Sequence, residues 1–181
     1  MSEILTKEEL KAHLLKSIAD FNNLVESLDK QEFERQPAGK WSAGQDLKHL
    51  VKSNRTFGIV FSLPLFLLNL MYGKANRPSR SLSALKIKYV EKAGNAGLKA
   101  PGYLKPGNVY IGVKNAWIQK HNASGAYLLK CLDRYAESDL DKNIMGHPLF
   151  GKVTVREMFM SIFIHINHHE ALLLKKLGRT T

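Results

Sequence analysis

Three capping boxes decide most of what this chain can fold into. In Thr6-Lys7-Glu8-Glu9, Ser42-Ala43-Gly44-Gln45 and Thr154-Val155-Arg156-Glu157 a hydroxyl can accept from the backbone three residues on, while the acid or amide reaches back. Each box opens an apolar series at helical spacing: Leu10, Leu14, Ile18, Phe21, Val25, Leu28; then Leu47, Leu50, Val51, Phe61; then Met158, Ile162, His165, His169, Leu172. The first series ends before Gln36-Pro37, Pro64 stops or kinks the second, and Gly178 amid Lys175, Lys176 and Arg179 closes the last. A fourth helix reads from about Val113 to Tyr135, with Val113, Trp117, Ser124, Leu128, Cys131 and Tyr135 on one face. Gly125 weakens its centre by roughly 1 kcal/mol relative to alanine. Strand signals are poor, and Asn108 to Gly112 is too short to found a sheet. The expected fold is all-α: an up-and-down four-helix bundle forming a single domain over 1–181. Its second and third helices are joined by a long basic connection, 73–112. A connection of that length needs a reason, such as a crossover, lid or binding element, and Leu82 to Lys92 can form a short helix within it.

Composition narrows the class. Lysine plus arginine number 27 against 16 acids, a formal charge of +11. A single cysteine, Cys131, cannot form an internal disulfide and reads as a small core residue. The opening MSEILTKEEL lacks the basic-then-apolar order of a signal peptide, so a cytoplasmic setting is expected. Thr56 to Gly73 is free of charge but interrupted by Ser62, Pro64 and Asn69, so no membrane span is expected there. It reads as the end of a core helix followed by a greasy loop or short helix, with a membrane-surface contact or a dimer face as alternatives. Phe61, Leu63, Leu65, Phe66 and Leu67 exceed what one bundle readily buries, which makes a homodimer the expected state.

The strongest chemistry lies in His165-Ile166-Asn167-His168-His169. Residues four apart on a helix differ by about 40° and roughly 6 Å of rise, so the rings of His165 and His169 can meet one ion. His168 points about 100° from His169 and cannot join them. Two hydrogen-bonded core histidines would also fit this pattern. Ile166 stands where the zincin motif has its glutamate, so that chemistry is excluded. A catalytic metal needs a third ligand, and His13, His49, His121 and His147 are the candidates, with spacing favouring His49 only mildly.

The run from Trp41 to Leu50, WSAGQDLKHL, resembles the W-S-x-x-E/Q-x-x-x-H-L opening of the second helix in the DinB/YfiT-like superfamily. The run from His147 to Glu157, followed by His165 and His169, is similar to that family's lead into its last helix. The resemblance spans nearly the whole chain. It implies a four-helix bundle holding a divalent metal, often zinc or nickel, with His49, His165 and His169 as ligands. It also implies chemistry with low-molecular-weight thiols: S-transfer to an electrophile, thiol-dependent isomerisation or hydrolysis. Asp46 and Glu170 are candidates to receive the ring protons facing away from the metal.

Two rival functions remain at this level. Lys74, Arg77, Arg80, Lys86, Lys88, Lys92, Lys99 and Lys105, interleaved with Tyr89, Tyr103 and Tyr110, would suit a nucleic acid. No nucleic-acid-binding signature accompanies them, so no specific nucleic acid is expected, and the same charge can steer a small anionic thiol. The other rival is a non-catalytic scaffold with a vestigial site.

Overall fold

The computed structural model describes residues 4–37, 39–95 and 100–179. Its elements in order are α1 (Lys7–Glu26), α2 (Lys30–Glu34), α3 (Ala43–Ser62), α4 (Leu65–Tyr72), α5 (Leu82–Asn95), α6 (Lys114–Asp133), α7 (Asp139–Lys142), β1 (Ile144–His147), β2 (Gly151–Thr154) and α8 (Val155–Leu177). Lys99, one of the basic residues named above, lies outside the described residues. The chain is mostly helical, and α1, α3, α6 and α8 are the four long helices the periodicity predicts.

All three capping boxes form, with Thr6, Ser42 and Thr154 each accepting from the residue three on. A fourth, Asp29 with Glu32, opens α2. Gly178 at φ 68° ends α8 in the left-handed conformation. Phe21, Phe33, Phe61, Phe159 and Phe163 are fully buried between the helices. Each contributes about 1.5–3 kcal/mol by leaving water.

The pairing of helices departs from the expected up-and-down order. α3 packs chiefly on α6, while α1 packs on α8 and α6 and barely meets α3. Sequence neighbours α1 and α3 are therefore not the main partners of one another. Gly125, a weak point by propensity alone, serves the α1–α6 pair: a Cβ there would collide with Ile18. Gly58 likewise admits the Tyr127 ring against α3.

One further expectation needs correction. The chain is not purely helical: β1 and β2 pair antiparallel, from Ile144 opposite Thr154 to His147 opposite Gly151. The hairpin delivers Thr154 directly to the start of α8. Within 73–112 the short helix expected over Leu82 to Lys92 does form, as α5, which packs on α8 and buries Leu82, Leu85 and Tyr89. Asn108 to Gly112 forms no strand.

Glu157 pins this connection to the bundle. Its carboxylate, wholly buried, accepts two bonds from Arg77 (2.7 and 2.8 Å), plus the Arg80 backbone and guanidinium (2.8 and 3.1 Å). It also accepts from the Thr154 backbone at 3.0 Å, so one side chain completes a helix cap and anchors a crossover.

Thr56 to Gly73 splits as Pro64 and its polar residues predict. α3 runs to Ser62, Pro64 turns the chain, and α4 departs at 100°. Phe61 belongs to the core, and Leu63 and Leu65 pack partly against it. Among the described residues no single helix is long and apolar enough to cross a membrane.

Candidate metal centre

The site forms where the first half of α3 faces the second half of α8. His49 lies two turns into α3; His165 and His169 sit one above the other on α8. His49 and His169 are buried and His165 is half-buried. His165 Nε2 is 3.2 Å from His49 Nε2 and 3.0 Å from His169 Nε2. One ligand atom from each of the three residues falls within 4.8 Å of the others. Nitrogens about 2.0–2.1 Å from a shared ion, at roughly 90–110° to one another, are themselves roughly 2.9–3.4 Å apart. The observed separations lie in that range.

Neighbouring groups fix which nitrogens face inward. His49 Nδ1 donates to the Leu104 carbonyl at 3.2 Å. His169 Nδ1 donates to Asp46 Oδ1 at 3.0 Å. In the neutral rings both Nε2 atoms therefore carry lone pairs, and both point at His165 Nε2. A single N–H on His165 cannot satisfy two acceptors well. A divalent cation satisfies all three, so the donor set fits a metal.

Electrostatics favour the same state. Burial foremost, and then His169, push the His49 pKa down to about 4. Burial, followed by His169 and His49, holds His165 well below the usual histidine value. Neutral imidazoles are the metal-binding form. Burial opposes ionisation of Asp46, yet His169 and Lys176 keep its carboxyl below the ordinary range. Lys176 Nζ bonds Asp46 Oδ2 and also donates to the Trp41 carbonyl at 3.0 Å. The Trp41 ring stacks nearly parallel to His169, and its centroid is 4.8 Å from that of His49. Trp41, Asp46 and Lys176 thus form one wall around the imidazoles.

Of the third-ligand candidates, only His49 joins the α8 pair. His13 stacks on Phe163. His121, fully buried, bonds Asn22 Oδ1 at 2.7 Å through Nδ1. His147 Nδ1 accepts from the Leu149 and Phe150 backbones at 3.0 and 3.2 Å, closing the hairpin turn. His168 sets its ring edge to face against Tyr89. Asp46 takes the partner role expected of it, though toward His169 and not toward His49. Glu170 makes no bond to the three rings, and its charged neighbours are Asp20 and Lys16. Cys131 is buried against Gly58 and is not part of the site.

Sequence reasoning missed the Leu104 carbonyl and Lys176. The first is a backbone atom in the connection and leaves no residue signal. Lys176 showed only as a helix-end cation.

The family model of the DinB superfamily matches residues 13–173. The chain belongs to the DinB superfamily. Its fold is similar to a solved structure described as "YfiT from Bacillus subtilis is a probable metal-dependent hydrolase with an unusual four-helix bundle topology". The two share 18% sequence identity at a TM-score of 0.61, over 96% of this chain and 89% of that one. At this identity the likeness establishes a shared four-helix-bundle fold. Among curated proteins none matches the sequence. For this DinB-superfamily chain the three-histidine cluster points to a divalent metal.

Proposed function

We propose that this chain is a divalent-metal-dependent enzyme in which His49, His165 and His169 hold zinc or nickel and a small-molecule thiol is activated for transfer to an electrophile. The observation that carries this reading is the convergence of three Nε2 atoms, two with their outer nitrogens already bonded. When bound, a divalent ion on three neutral ligands keeps its charge, lowers the pKa of a thiol or water and polarises an electrophile. Asp46 and the Leu104 carbonyl hold the His169 and His49 rings in their ligating orientation. Lys176 balances the Asp46 charge, and Trp41 keeps solvent from that side.

The description of YfiT as a probable metal-dependent hydrolase supports water activation as a second reading. Among the described residues, however, the metal-binding cluster contains no carboxylate, and Asp46 is committed to His169 and Lys176. The ion lowers the pKa of either nucleophile, but a hydrolase gains further from a base that takes the proton of the attacking water, whereas a thiol needs mainly its pKa lowered. That difference favours the thiol.

Metal analysis of tag-free protein, wild type and His165→Ala, tests the proposal. Near-stoichiometric metal in the wild type, lost in the variant, is expected. In cobalt-substituted protein the absorption bands should shift on adding a thiol. Substoichiometric metal unaffected by the substitution would leave a non-catalytic scaffold as the reading.

A further inference from the structure

Between Asp46 and Glu91 the chain carries eight lysines and arginines and no aspartate or glutamate. The same stretch leaves Ile59, Phe66, Leu70, Met71, Ile87 and Val90 exposed. Arg77 and Arg80 are paired with Glu157, and the other six cations of the stretch have no acid within it to offset them.

α4 gathers the most exposed of them. Phe66 is 74% exposed, Leu70 80% and Met71 53%. At about 100° per residue these three and half-buried Leu67 cover an arc of about 140°, while Leu68 on the other side is fully buried. Cations stand around the helix. Arg134 donates to the Ser62 carbonyl at 3.0 Å beside the bend, and Lys152 to the Tyr72 carbonyl at 2.8 Å at the far end. Lys74 and Lys142 share a surface depression with Leu65 and Asn69, where Asp139 is the one acid.

We propose that α4 docks on an anionic lipid surface. Phe66, Leu70 and Met71 enter the boundary between headgroups and acyl chains, and the surrounding lysines and arginines meet the lipid phosphates. A spanning arrangement is ruled out by α3, which is bent 100° from α4 and keeps Asp46, His49 and Asn54 inside the bundle. A second copy of the chain fits poorly. A stable interface buries about 800 Å² per partner, more than one face of an eight-residue helix offers. A two-fold contact would also set this cationic rim against itself.

The test is co-sedimentation of the full chain with vesicles of phosphatidylcholine alone and of phosphatidylcholine mixed with phosphatidylglycerol. Binding is expected only to the mixed vesicles and should weaken as salt rises. The surface double variant F66S/L70S should lose at least tenfold in affinity with unchanged circular dichroism. K74E/K142E should weaken binding as well and provides a second arm should the serine variant misfold. No binding to phosphatidylglycerol vesicles at low salt overturns the proposal. So does equal binding by wild type and both variants. A wild-type dimer in sedimentation velocity that F66S/L70S converts to monomer would assign the face to a second copy instead.

Discussion

His49 donates its Nδ1–H to the carbonyl of Leu104, 3.2 Å away, and thereby ties a candidate metal ligand on α3 to the connection that leads into α6. Lys52 bonds the next carbonyl, Lys105, at 3.1 Å, and Gln45 reaches Asn108 at 3.4 Å. The connection thus lies along the helix that carries this candidate ligand, held to it by three hydrogen bonds.

Metal binding should therefore quieten the connection. Adding zinc to metal-free protein is expected to slow amide hydrogen exchange around residues 100–108. At a hundredfold excess over Kd, the Tm should rise by about 5–10 °C, from about 2.7 kcal/mol of linkage in a chain of this size. His49→Ala should abolish both effects. Exchange in 100–108 that ignores zinc would refute the coupling.

Asp46→Asn separates two duties of one carboxylate. Without the charged acceptor His169 loses its tautomer control, and metal affinity should fall about 10- to 100-fold. Lys176, with its side chain only 13% exposed, would be left beside a neutral amide, at a stability loss of about 3 kcal/mol. The double variant D46N/K176M should recover much of the stability and none of the affinity. Denaturant midpoints alongside metal titrations read the two outcomes independently.

Glu157→Ala should destabilise the fold by about 3–5 kcal/mol, because Arg77 and Arg80 lose their shared buried partner and α8 loses half its capping box. Glu157→Gln keeps the cap but not the charge and should fall between. Limited proteolysis would locate the damage: cleavage is expected first in the 73–81 stretch that Arg77 and Arg80 anchor. Resistance there equal to wild type would show that the connection is held by α5 packing alone.

The local parts of this architecture were legible because their signals are local. A capping box needs four consecutive residues, and the His165–His169 pair needs one turn of one helix. His49 joins them only through the packing of α3 on α8, which no periodicity encodes; it took the family resemblance to select it from four candidates. The side-by-side order of the helices was misread for the same reason, since close approaches such as Gly125 on Ile18 appear in sequence only as a weak helix position. β1 and β2 are four residues each, with Gly146 inside one, and lie below what alternation can reveal. Glu157 showed as a helix cap, while its grip on Arg77 and Arg80 spans about eighty residues of chain.

Acid should weaken the metal-free fold within a defined window. Burial lowers His121 and His147 to about 4, and burial, followed by His169, lowers His49 to about 4. All three are neutral when folded and take up protons near the ordinary 6.5 once unfolded. Between these values the unfolded chain binds more protons, so stability is full above 6.5 and is lost as pH falls toward 4. Glu157, depressed below 4.5, adds its own loss only at lower pH; Glu170, raised by burial, opposes the trend just above 4.5. Urea midpoints should accordingly drop between pH 7 and pH 5. His121→Gln, which retains a group able to bond Asn22, should reduce that slope without removing it. With zinc present the same acidification must also protonate the ligands and expel the ion, so the drop should steepen. A midpoint that stays level or rises from pH 7 to pH 5 would mean that these rings are charged in the folded chain.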